Sequence, residues 1–492
     1  MKDLVFKNIS VGYIPDTKVE INNKTYLIHN VIDGETISVD TTKKYPELKE
    51  VLVKSPYRID YKEDECGGAN FMHVTYEYET KLKKEHINDL FKPFRGKNEI
   101  NLIPMDNPYN YRNKSIMTYK LSKTKKIVCG LYEEYSHNII TANNNILQAE
   151  KTNKIITELN RILTKNKIEI YDERTRTGVL RHVYIRAAFN TDEVMVTLVT
   201  NGEMFPGRNN VVTDLKKANL GITTVIQNIN SRDTSIVLGD KERILYGPGF
   251  IYEKVGGYKF KISPKSFFQV NTKGMEILYQ KALEKANITK NDVVIDAYCG
   301  VGTISIFASK YAKHIYGVEL NKDAVNDAKI NQKINNINNI TFIADDATNY
   351  MTKLAKVREH IDIVIMDPPR DGSTKQFINA IKYLGARKVI YISCNPDTLK
   401  RDLYLFSEND YKVTFLEGVD MFPRTLHSEM IAVIELDDEI ELLERMVKEN
   451  KKNNTKSYKE NKMKYIPKAD IEMMRKDRYE ASGNKKQKKY KY

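Results

Sequence analysis

Between Asp292 and Ser393 the chain repeats one pattern, in which a short apolar run is followed by a segment long enough for an amphipathic helix. Strands that alternate with helices build an open parallel sheet, because each helix must cross the sheet to reach the next strand. The pattern therefore predicts an α/β fold with a doubly wound sheet. The strands are expected at Val293–Ala297, Ile315–Glu319, Ile340–Ala344, Ile361–Met366 and Lys388–Ser393.

A chain of 492 residues exceeds the usual size of one hydrophobic core, so we expect further domains around this sheet. Near the N-terminus, short runs such as Tyr26–Ile28 and Thr36–Val39 lie between Asn-Asn and Asp-Gly turns, which predicts a small β-barrel. In the middle, the helical stretch Gln148–Lys165 precedes the strand-like runs His182–Ala188 and Val194–Thr200, which predicts an α+β domain. The expected boundaries are 1–55 for the β-barrel, 56–285 for the central α+β domain, 286–436 for the doubly wound domain and 437–492 for a basic tail, partly helical or disordered.

The charge balance indicates a polyanionic partner. The net charge is +14, and an excess of Lys and Arg commonly serves a phosphate backbone. From Lys448 to Tyr492 there are 16 Lys or Arg residues and 6 Asp or Glu residues, so ten of the excess positive charges lie in the tail. The tail is interpreted either as a solvated extension or as an RNA-binding appendage with interleaved tyrosines.

The apolar runs and the cysteines indicate where the protein works. No apolar run approaches eighteen residues, and the first residues lack the apolar segment of a signal peptide. We therefore expect a soluble, cytoplasmic protein without a membrane partner, acting as a monomer. Its four cysteines are scattered far apart, which does not suit a disulfide framework and leaves room for a reactive thiol.

The first predicted strand runs into a glycine-rich turn, Asp296–Thr303, before a helical pattern. In this turn Gly300 and Gly302 allow a tight bend and a close approach of the backbone to a ligand. A dinucleotide site would have a third glycine where Ser305 stands, so the turn does not favour a nicotinamide cofactor. The second strand ends at Glu319, whose carboxylate is suited to accept hydrogen bonds from both hydroxyls of a ribose.

Other polar side chains near the predicted strand ends could complete a cofactor pocket. The ring of Tyr298 could stack or line it, and Asp367 follows the fourth strand. After the third strand, Asp345 and Asp346 could meet an adenine edge, although a solvated turn explains them equally well.

Cys394 follows the fifth predicted strand, at the edge where such sheets bind ligands. A free Cys is often a small buried hydrophobe, and Cys299 inside the glycine turn is interpreted as packing. The polar neighbours Ser393 and Asn395 instead favour an accessible, nucleophilic thiol for Cys394.

Two further motifs accompany this thiol. In the stretch Met366–Gly372 two prolines stiffen a loop, and Arg370 after them could contact a phosphate or a base carbonyl, or pair with an acid. Before the apolar run Met430–Leu436, His427 and Glu429 are both candidate general bases. They would lie on the same side of an extended segment.

Together these motifs resemble the RNA uracil-C5 methyltransferases, which make 5-methyluridine in ribosomal or transfer RNA. The resemblance runs from about Gly247 to Leu436 and implies a Rossmann-like class I methyltransferase domain that uses S-adenosylmethionine. It implies that Cys394 adds to carbon 6 of the uracil and that Glu429 removes the carbon 5 proton. The cofactor contacts that it implies are Gln269, Tyr298, Glu319 and Asp367. The motifs that carry it are Asp296–Thr303, Asp367-Pro368-Pro369-Arg370, Ser393-Cys394-Asn395-Pro396 and His427-Ser428-Glu429.

Upstream of these motifs the resemblance is thinner. Residues 1–55 are similar to a TRAM β-barrel, and the central region is similar to the family's RNA-binding domain. The ribosomal branch of the family carries a four-cysteine iron–sulfur cluster there, but only Cys66 is kept here, while Ser55 and Asn145 stand where two other ligands align. One thiolate cannot hold a cluster, so no iron–sulfur cluster and no metal site are expected.

The resemblance leaves the RNA substrate open. The TRAM-like barrel favours 23S ribosomal RNA, with transfer RNA as the alternative substrate of the same chemistry. A different alternative is a non-catalytic RNA-binding protein that keeps the fold. The presence of both Cys394 and Glu429 favours the enzyme.

Overall fold

The computed structural model describes residues 4–61, 68–122, 124–132, 139–141, 144–234, 236–357 and 359–437. Cys66 and all but the first residue of the predicted basic tail lie outside the described residues. In the described part of the chain no helix is long and apolar enough to cross a membrane.

The N-terminal strands form two small antiparallel sheets around one apolar core. The strands are β1 (Leu4–Phe6), β2 (Asp16–Ile21), β3 (Lys24–His29), β4 (Thr36–Asp40) and β5 (Glu47–Val53). One sheet has the order β1-β4-β5 and the other pairs β2 with β3. Their inward side chains share a core with Val31, which lies between strands β3 and β4. The arrangement is a small barrel-like unit, as the alternating pattern predicted.

The middle of the chain builds a seven-stranded sheet covered on one face by helices. Its strand order is β13-β12-β11-β10-β7-β8-β9, and β11 and β12 are its parallel pair. Side chains of α3 and α4 pack on one face of this sheet. The elements of this region are α1 (Tyr76–Leu90), α2 (Lys92–Arg95), β6 (Asn101–Ile103), β7 (Lys114–Leu121), β8 (Ile127–Tyr132), β9 (Ile139–Thr141), α3 (Glu150–Lys165), β10 (Leu180–Ala187), β11 (Val194–Thr200), α4 (Arg208–Lys217), β12 (Ile222–Ile229) and β13 (Lys241–Tyr246).

The remainder of the described chain forms a hairpin, a helix and an eight-stranded sheet with the order β18-β17-β16-β19-β20-β22-β21-β6. The edge strand β6 comes from the region upstream of residue 285 and pairs parallel with β21. The elements are β14 (Ile251–Val255), β15 (Tyr258–Ile262), α5 (Thr272–Ala286), β16 (Val293–Ala297), α6 (Thr303–Ala308), β17 (His314–Glu319), α7 (Lys322–Ile334), β18 (Ile340–Ala344), α8 (Ala347–Val357), β19 (Ile363–Met366), α9 (Lys375–Tyr383), β20 (Lys388–Ser393), α10 (Pro396–Ser407), β21 (Tyr411–Val419) and β22 (Glu429–Leu436).

Alternate residues of the parallel strands are buried on opposite faces of this sheet. In β19, Ile363 and Ile365 join a core with α5, whereas Val364 and Met366 join a core with α9 and α10. Burial on both faces explains why these strands read as continuous apolar runs in the sequence. The predicted doubly wound sheet is confirmed.

The strand order fixes where a ligand can bind. From β16 the chain builds outward through β17 and β18, then returns to place β19 and β20 on the other side of β16. The crevice at the carboxyl ends of β16 and β19 is therefore the topological switch point, where open α/β sheets bind ligands. The predicted cofactor and catalytic residues lie around these strand ends.

Candidate active site

The glycine-rich turn after β16 contains positive φ angles, which residues other than glycine seldom adopt. Tyr298, Gly300 and Gly302 have φ angles of 66°, 55° and 80°. A Cβ added to Gly302 would lie 2.6 Å from the ring of Phe342, so only glycine fits there. A tyrosine with a positive φ is uncommon, and such outliers concentrate at binding sites.

Glu319 holds the glycine turn in place. One carboxylate oxygen accepts the backbone N–H of Gly300 at 3.1 Å, and the other accepts that of Asn321 at 2.8 Å. A carboxylate has about four acceptor positions, so roughly two remain for the hydroxyls of a ribose. Glu319 is therefore oriented and still able to bind a diol.

Ser305, which replaces the third glycine of a dinucleotide motif, has an internal role. Its hydroxyl donates to one carboxylate oxygen of Asp296 at 2.5 Å, while the other oxygen of Asp296 is buried and has no hydrogen-bond partner in the described part of the chain. Burial raises the pKa of Asp296 to about 7. The sequence motif contained Asp296, but its burial and unpartnered oxygen could not be predicted from it.

Gln269 and Asp367 meet beside the carboxyl end of β19. The side-chain amide of Gln269 donates to the carboxyl of Asp367 at 3.4 Å. Burial, followed by the charge of Asp296, raises the pKa of Asp367 to about 7. The two residues come from segments 98 positions apart and are brought together by the fold.

Three other residues predicted to line the pocket make contacts with neighbouring side chains or backbone. Tyr298 is half-buried, with its ring centroid 5.8 Å from that of Phe377. Asp345 pairs with Lys353 at 2.7 Å, and Asp346 accepts the backbone N–H of Asn349 at the start of α8. These local contacts agree with the turn interpretation of the two aspartates, and the adenine contact stays a prediction.

Cys394 lies between β20 and α10, and its thiol is partly accessible. Burial, followed by the charges of Glu429 and Asp367, raises its pKa to about 11, while the charge of Arg370 lowers it. The thiol is therefore protonated at neutral pH. Cys299, in contrast, is buried in the core, as expected of a packing residue.

Glu429 begins β22 and is fully buried beside the same groups. Burial and the charge of Asp367 raise its pKa well above the ordinary value, and the charge of Arg370 opposes this shift. One of its carboxylate oxygens has no hydrogen-bond partner among the described residues. The fold thus places Cys394, Asp367, Arg370 and Glu429 within electrostatic reach of one another.

His427 has a different environment from Glu429. Burial, followed by the charge of Arg370, lowers its pKa to about 4, so the ring is neutral at neutral pH. The guanidinium of Arg370 donates to its Nε2 at 3.2 Å. His427 lies outside β22, which begins at Glu429, so the two residues do not belong to one strand.

The loop that carries Glu429 is held by a buried charge network with α1. Lys83 donates to Glu79 and to Asp420, each at 2.7 Å, and all three side chains are fully buried. Arg424 contacts Glu79 with its backbone N–H at 2.7 Å and with its guanidinium at 3.1 Å. The hydroxyl of Tyr13, from the N-terminal unit, donates to the carbonyl of Leu426. Sequence reasoning missed this network, because the contacts that join α1 and Tyr13 to the loop are between residues more than 300 positions apart.

Replacing Lys83 by methionine is expected to lower the free energy of unfolding by about 3–5 kcal/mol, because it removes the buried cation that pairs with Asp420 and leaves Glu79 with Arg424 alone. Lys81→Met, on the exposed face of the same helix, removes a 4.0 Å pair with Glu85 and should cost less than about 1 kcal/mol. Urea denaturation of the two variants measures the difference. Equal unfolding midpoints would show that the buried network does not stabilise the fold.

The positions predicted to have lost cluster ligands are engaged in other contacts. Ser55 donates its backbone N–H to Glu35, and the side chain of Asn145 accepts the backbone N–H of Leu147 at 2.9 Å. Within the described residues no group of three or more His, Cys, Asp or Glu side chains is arranged to hold a metal ion.

Residues 75–437 match the model of a protein family described as tRNA (uracil-5-)-methyltransferase. A protein from Clostridium tetani named an uncharacterized RNA methyltransferase is 37% identical over 426 residues, which cover 84% of this chain and 92% of that protein. A protein of the same description from Caldanaerobacter subterraneus is 37% identical over 438 residues, which cover 87% of this chain and 96% of that protein.

A solved structure has the same architecture. The tRNA (uracil-54, C5)-methyltransferase of Pyrococcus abyssi, in complex with S-adenosyl-L-homocysteine, superposes with a TM-score of 0.71 at 23% sequence identity. The superposition covers 88% of this chain and 100% of that chain. At this level of identity the likeness shows a shared fold, which is that of the class I methyltransferases.

Proposed function

The chain belongs to the tRNA (uracil-5-)-methyltransferase family, and from this premise we propose that it transfers a methyl group from S-adenosylmethionine to carbon 5 of a uridine in RNA. The observation that carries the proposal is the grouping of Cys394, Glu429, Asp367 and Arg370 at the switch point of the sheet. A nucleophile and a separate base are the two groups that this chemistry requires.

The residues around the glycine turn fit S-adenosylmethionine. Glu319 has acceptor positions left for the ribose hydroxyls, and Gly300 has open space around it that allows close approach of a ligand. Tyr298, Gln269 and Asp367 would complete the pocket. When bound, the cofactor supplies an electrophilic methyl group on a sulfonium centre.

Cys394 solves the problem that carbon 5 of uracil is a poor nucleophile. Its proton would pass to solvent, its sulfur would add to carbon 6, and the ring would become an enolate with electron density at carbon 5. Carbon 5 would then take the methyl group, and the sulfonium of the cofactor would leave as a neutral thioether. Because the pKa of the resting thiol is about 11, the thiol must lose its proton as the uracil ring enters the site. Arg370, whose charge lowers this pKa, would favour the thiolate.

Glu429 completes the reaction by removing the carbon 5 proton, after which the bond between Cys394 and carbon 6 breaks and the thiolate leaves. A carboxyl group whose pKa is raised by burial is a stronger base once ionised than an exposed one. Its unpartnered oxygen has lone pairs that are free to accept this proton.

For the substrate we propose 23S ribosomal RNA, supported by the small barrel-like unit at the N-terminus, which lies outside the family match. Transfer RNA is the second candidate, because the family description names it.

The proposed function predicts that purified protein transfers label from methyl-labelled S-adenosylmethionine to RNA, and that nuclease digestion yields labelled 5-methyluridine. The assay is run separately with 23S ribosomal RNA and with transfer RNA, each transcribed without modifications. Label in the ribosomal transcript alone supports the first substrate, and label in transfer RNA alone supports the second. If protein that binds the cofactor transfers no label to either RNA, the proposed uridine methylation is refuted.

A further inference from the structure

Two positively charged side chains lie opposite each other on neighbouring strands of the seven-stranded sheet, close to the proposed site. Lys114 at the start of β7 lies directly opposite Arg186 of β10 in the antiparallel register, so both side chains are on one face. Their sequence neighbours Ser115 and Ile185 also pair across the strands, and Ile185 packs with α3 on the other face. Arg112, two positions before Lys114, adds a third cation to this cluster.

The structure shows no acidic partner for the three cations in the part of the chain that it describes. Among the described residues none of Arg112, Lys114 and Arg186 forms an ion pair within 4.0 Å. Like charges directly opposite each other on neighbouring strands destabilise a sheet. An arrangement of this kind is stabilised when an anion binds between the charges.

Arg186 gives an independent indication of a missing anion. Its side chain is 1% exposed, and its guanidinium donates to the hydroxyl of Tyr184 at 2.6 Å and to the carbonyl of Ser266 at 3.3 Å, both neutral acceptors. The second terminal nitrogen, Nη1, is buried and has no hydrogen-bond partner within the residues that the structure describes. A buried guanidinium with an unused donor and no counter-charge is costly, which indicates a binding role rather than a stabilising one.

The cationic cluster of Arg112, Lys114 and Arg186 is tied to the segment that carries Gln269. Asn113, between two of the cations, donates its side-chain amide to the carbonyl of Gln269 at 2.9 Å. Lys114 lies 6.0 Å from the ring centroid of Phe267, and that ring is 59% exposed. The cluster therefore adjoins a solvent-exposed ring next to the segment that carries Gln269.

We propose that Arg112, Lys114 and Arg186 bind a backbone phosphate of the substrate RNA next to the target uridine. The proposal rests on the proposed function, since it needs RNA as the substrate. Three cations suit a polyanion better than the single carboxylate of the cofactor. Phosphate contacts of this kind fix the register of the RNA strand without reading its sequence.

The surroundings of Lys114 agree with such a role. Burial, followed by the charges of Arg186 and Arg112, lowers its pKa to about 8. A phosphate between these groups would oppose that shift and favour the protonated amine. Binding of RNA would thus complete the charge of the cluster.

Lys114→Gln tests the proposal against a matched control, Lys120→Gln. Lys120 lies on the same strand and the same face, but it already pairs with Glu173 at 3.6 Å and lies over the ring of Tyr132. Removing one phosphate contact should reduce the slope of log K against log salt concentration for RNA binding by about 1 and weaken binding roughly tenfold at low salt. Lys120→Gln should leave the slope and the affinity as in the unmodified protein.

Filter binding of the unmodified RNA transcript across a salt series measures this slope, and steady-state kinetics measure the KM for RNA and for S-adenosylmethionine. The expected result for Lys114→Gln is a raised KM for RNA with an unchanged KM for the cofactor and an unchanged kcat. An unchanged salt slope, or a raised KM for the cofactor instead, overturns the phosphate assignment while methylation by the unmodified protein still stands.

Arg186→Lys and Arg186→Met extend the test to the buried cation. Arg186→Lys keeps the charge and should lose less RNA affinity than Arg186→Met, provided that both variants show the thermal unfolding of the folded protein. If the unmodified protein methylates no RNA, the proposed function fails, but the binding slopes still decide the phosphate site. Equal RNA affinity for both Arg186 variants and the unmodified protein would also overturn the assignment of a phosphate site.

Discussion

Replacing Cys394 by alanine is expected to lower methyl transfer to RNA by about 10⁴-fold or more, since the covalent route loses its nucleophile. The same variant should form no covalent complex with RNA that contains 5-fluorouridine. The reason is chemical: fluorine at carbon 5 cannot be removed as a proton, so the unmodified enzyme is trapped as an adduct, and a variant without the thiol is not. Label transfer and a denaturing gel measure the two effects.

Cys129→Ala is the matched control for this prediction. Cys129 is buried in the core of the central sheet, where Asn160 donates to its sulfur at 3.4 Å. Its removal should cost about 1 kcal/mol of stability and leave the adduct intact. A Cys394→Ala protein that binds the cofactor and still gives the adduct would show that another group is the nucleophile.

The sequence predicted the parts of the fold that local patterns determine. The runs Val293–Ala297, Ile340–Ala344 and Lys388–Ser393 form strands with the predicted bounds, because buried parallel strands need apolar side chains on both faces. The fourth strand starts at Ile363 rather than Ile361, since strand ends depend on pairing rather than on hydropathy. Val31, within the predicted barrel, is buried without belonging to a strand.

Contacts between distant segments were beyond the reach of these patterns. Nothing in Asn101–Ile103 shows that this short strand joins the edge of the C-terminal sheet, because its partner β21 lies about 300 positions later. Nothing in the local sequence marks Lys83 and Arg424 as buried, yet both side chains are fully buried. Buried ions are visible in a sequence only when their partners are known, and here the partners come from remote elements.

In the candidate site, too, local patterns predicted some positions, whereas others depend on contacts between distant segments. The sequence positions of Glu319, Asp367 and Cys394 at strand ends predict that they lie at one edge of the sheet, since the carboxyl ends of parallel strands meet there. Glu429 belongs to an antiparallel strand, so this rule could not bring it to the crevice. It arrives there because the loop before it is fixed by α1 and by Tyr13.

His427 is the other candidate for the general base, two positions before Glu429. Because Arg370 donates to Nε2 of His427, that nitrogen carries no proton, and the remaining proton of the neutral ring lies on Nδ1. No lone pair of the imidazole is then free to take a proton while this hydrogen bond is made. One carboxylate oxygen of Glu429, in contrast, has no partner among the described residues.

Glu429→Gln is therefore expected to methylate the uracil and then fail to release it. The amide has nearly the same shape as the carboxyl but cannot take the carbon 5 proton, so the methylated adduct with Cys394 accumulates on ordinary RNA. Turnover should fall by about 10²–10⁴-fold, the usual contribution of a general base. A denaturing gel detects the protein–RNA species, and labelled methyl groups in that band show that transfer preceded the block.

Two further variants make this prediction decisive. Glu435→Gln, six positions later on β22, removes only a pair with Lys388 at 2.9 Å and should turn over normally without an adduct. His427→Gln should retain release of the product, because its ring is not the proton acceptor. If His427→Gln accumulates the methylated adduct while Glu429→Gln turns over freely, the two roles must be exchanged, and the buried carboxyl would then act only on the pKa of Cys394.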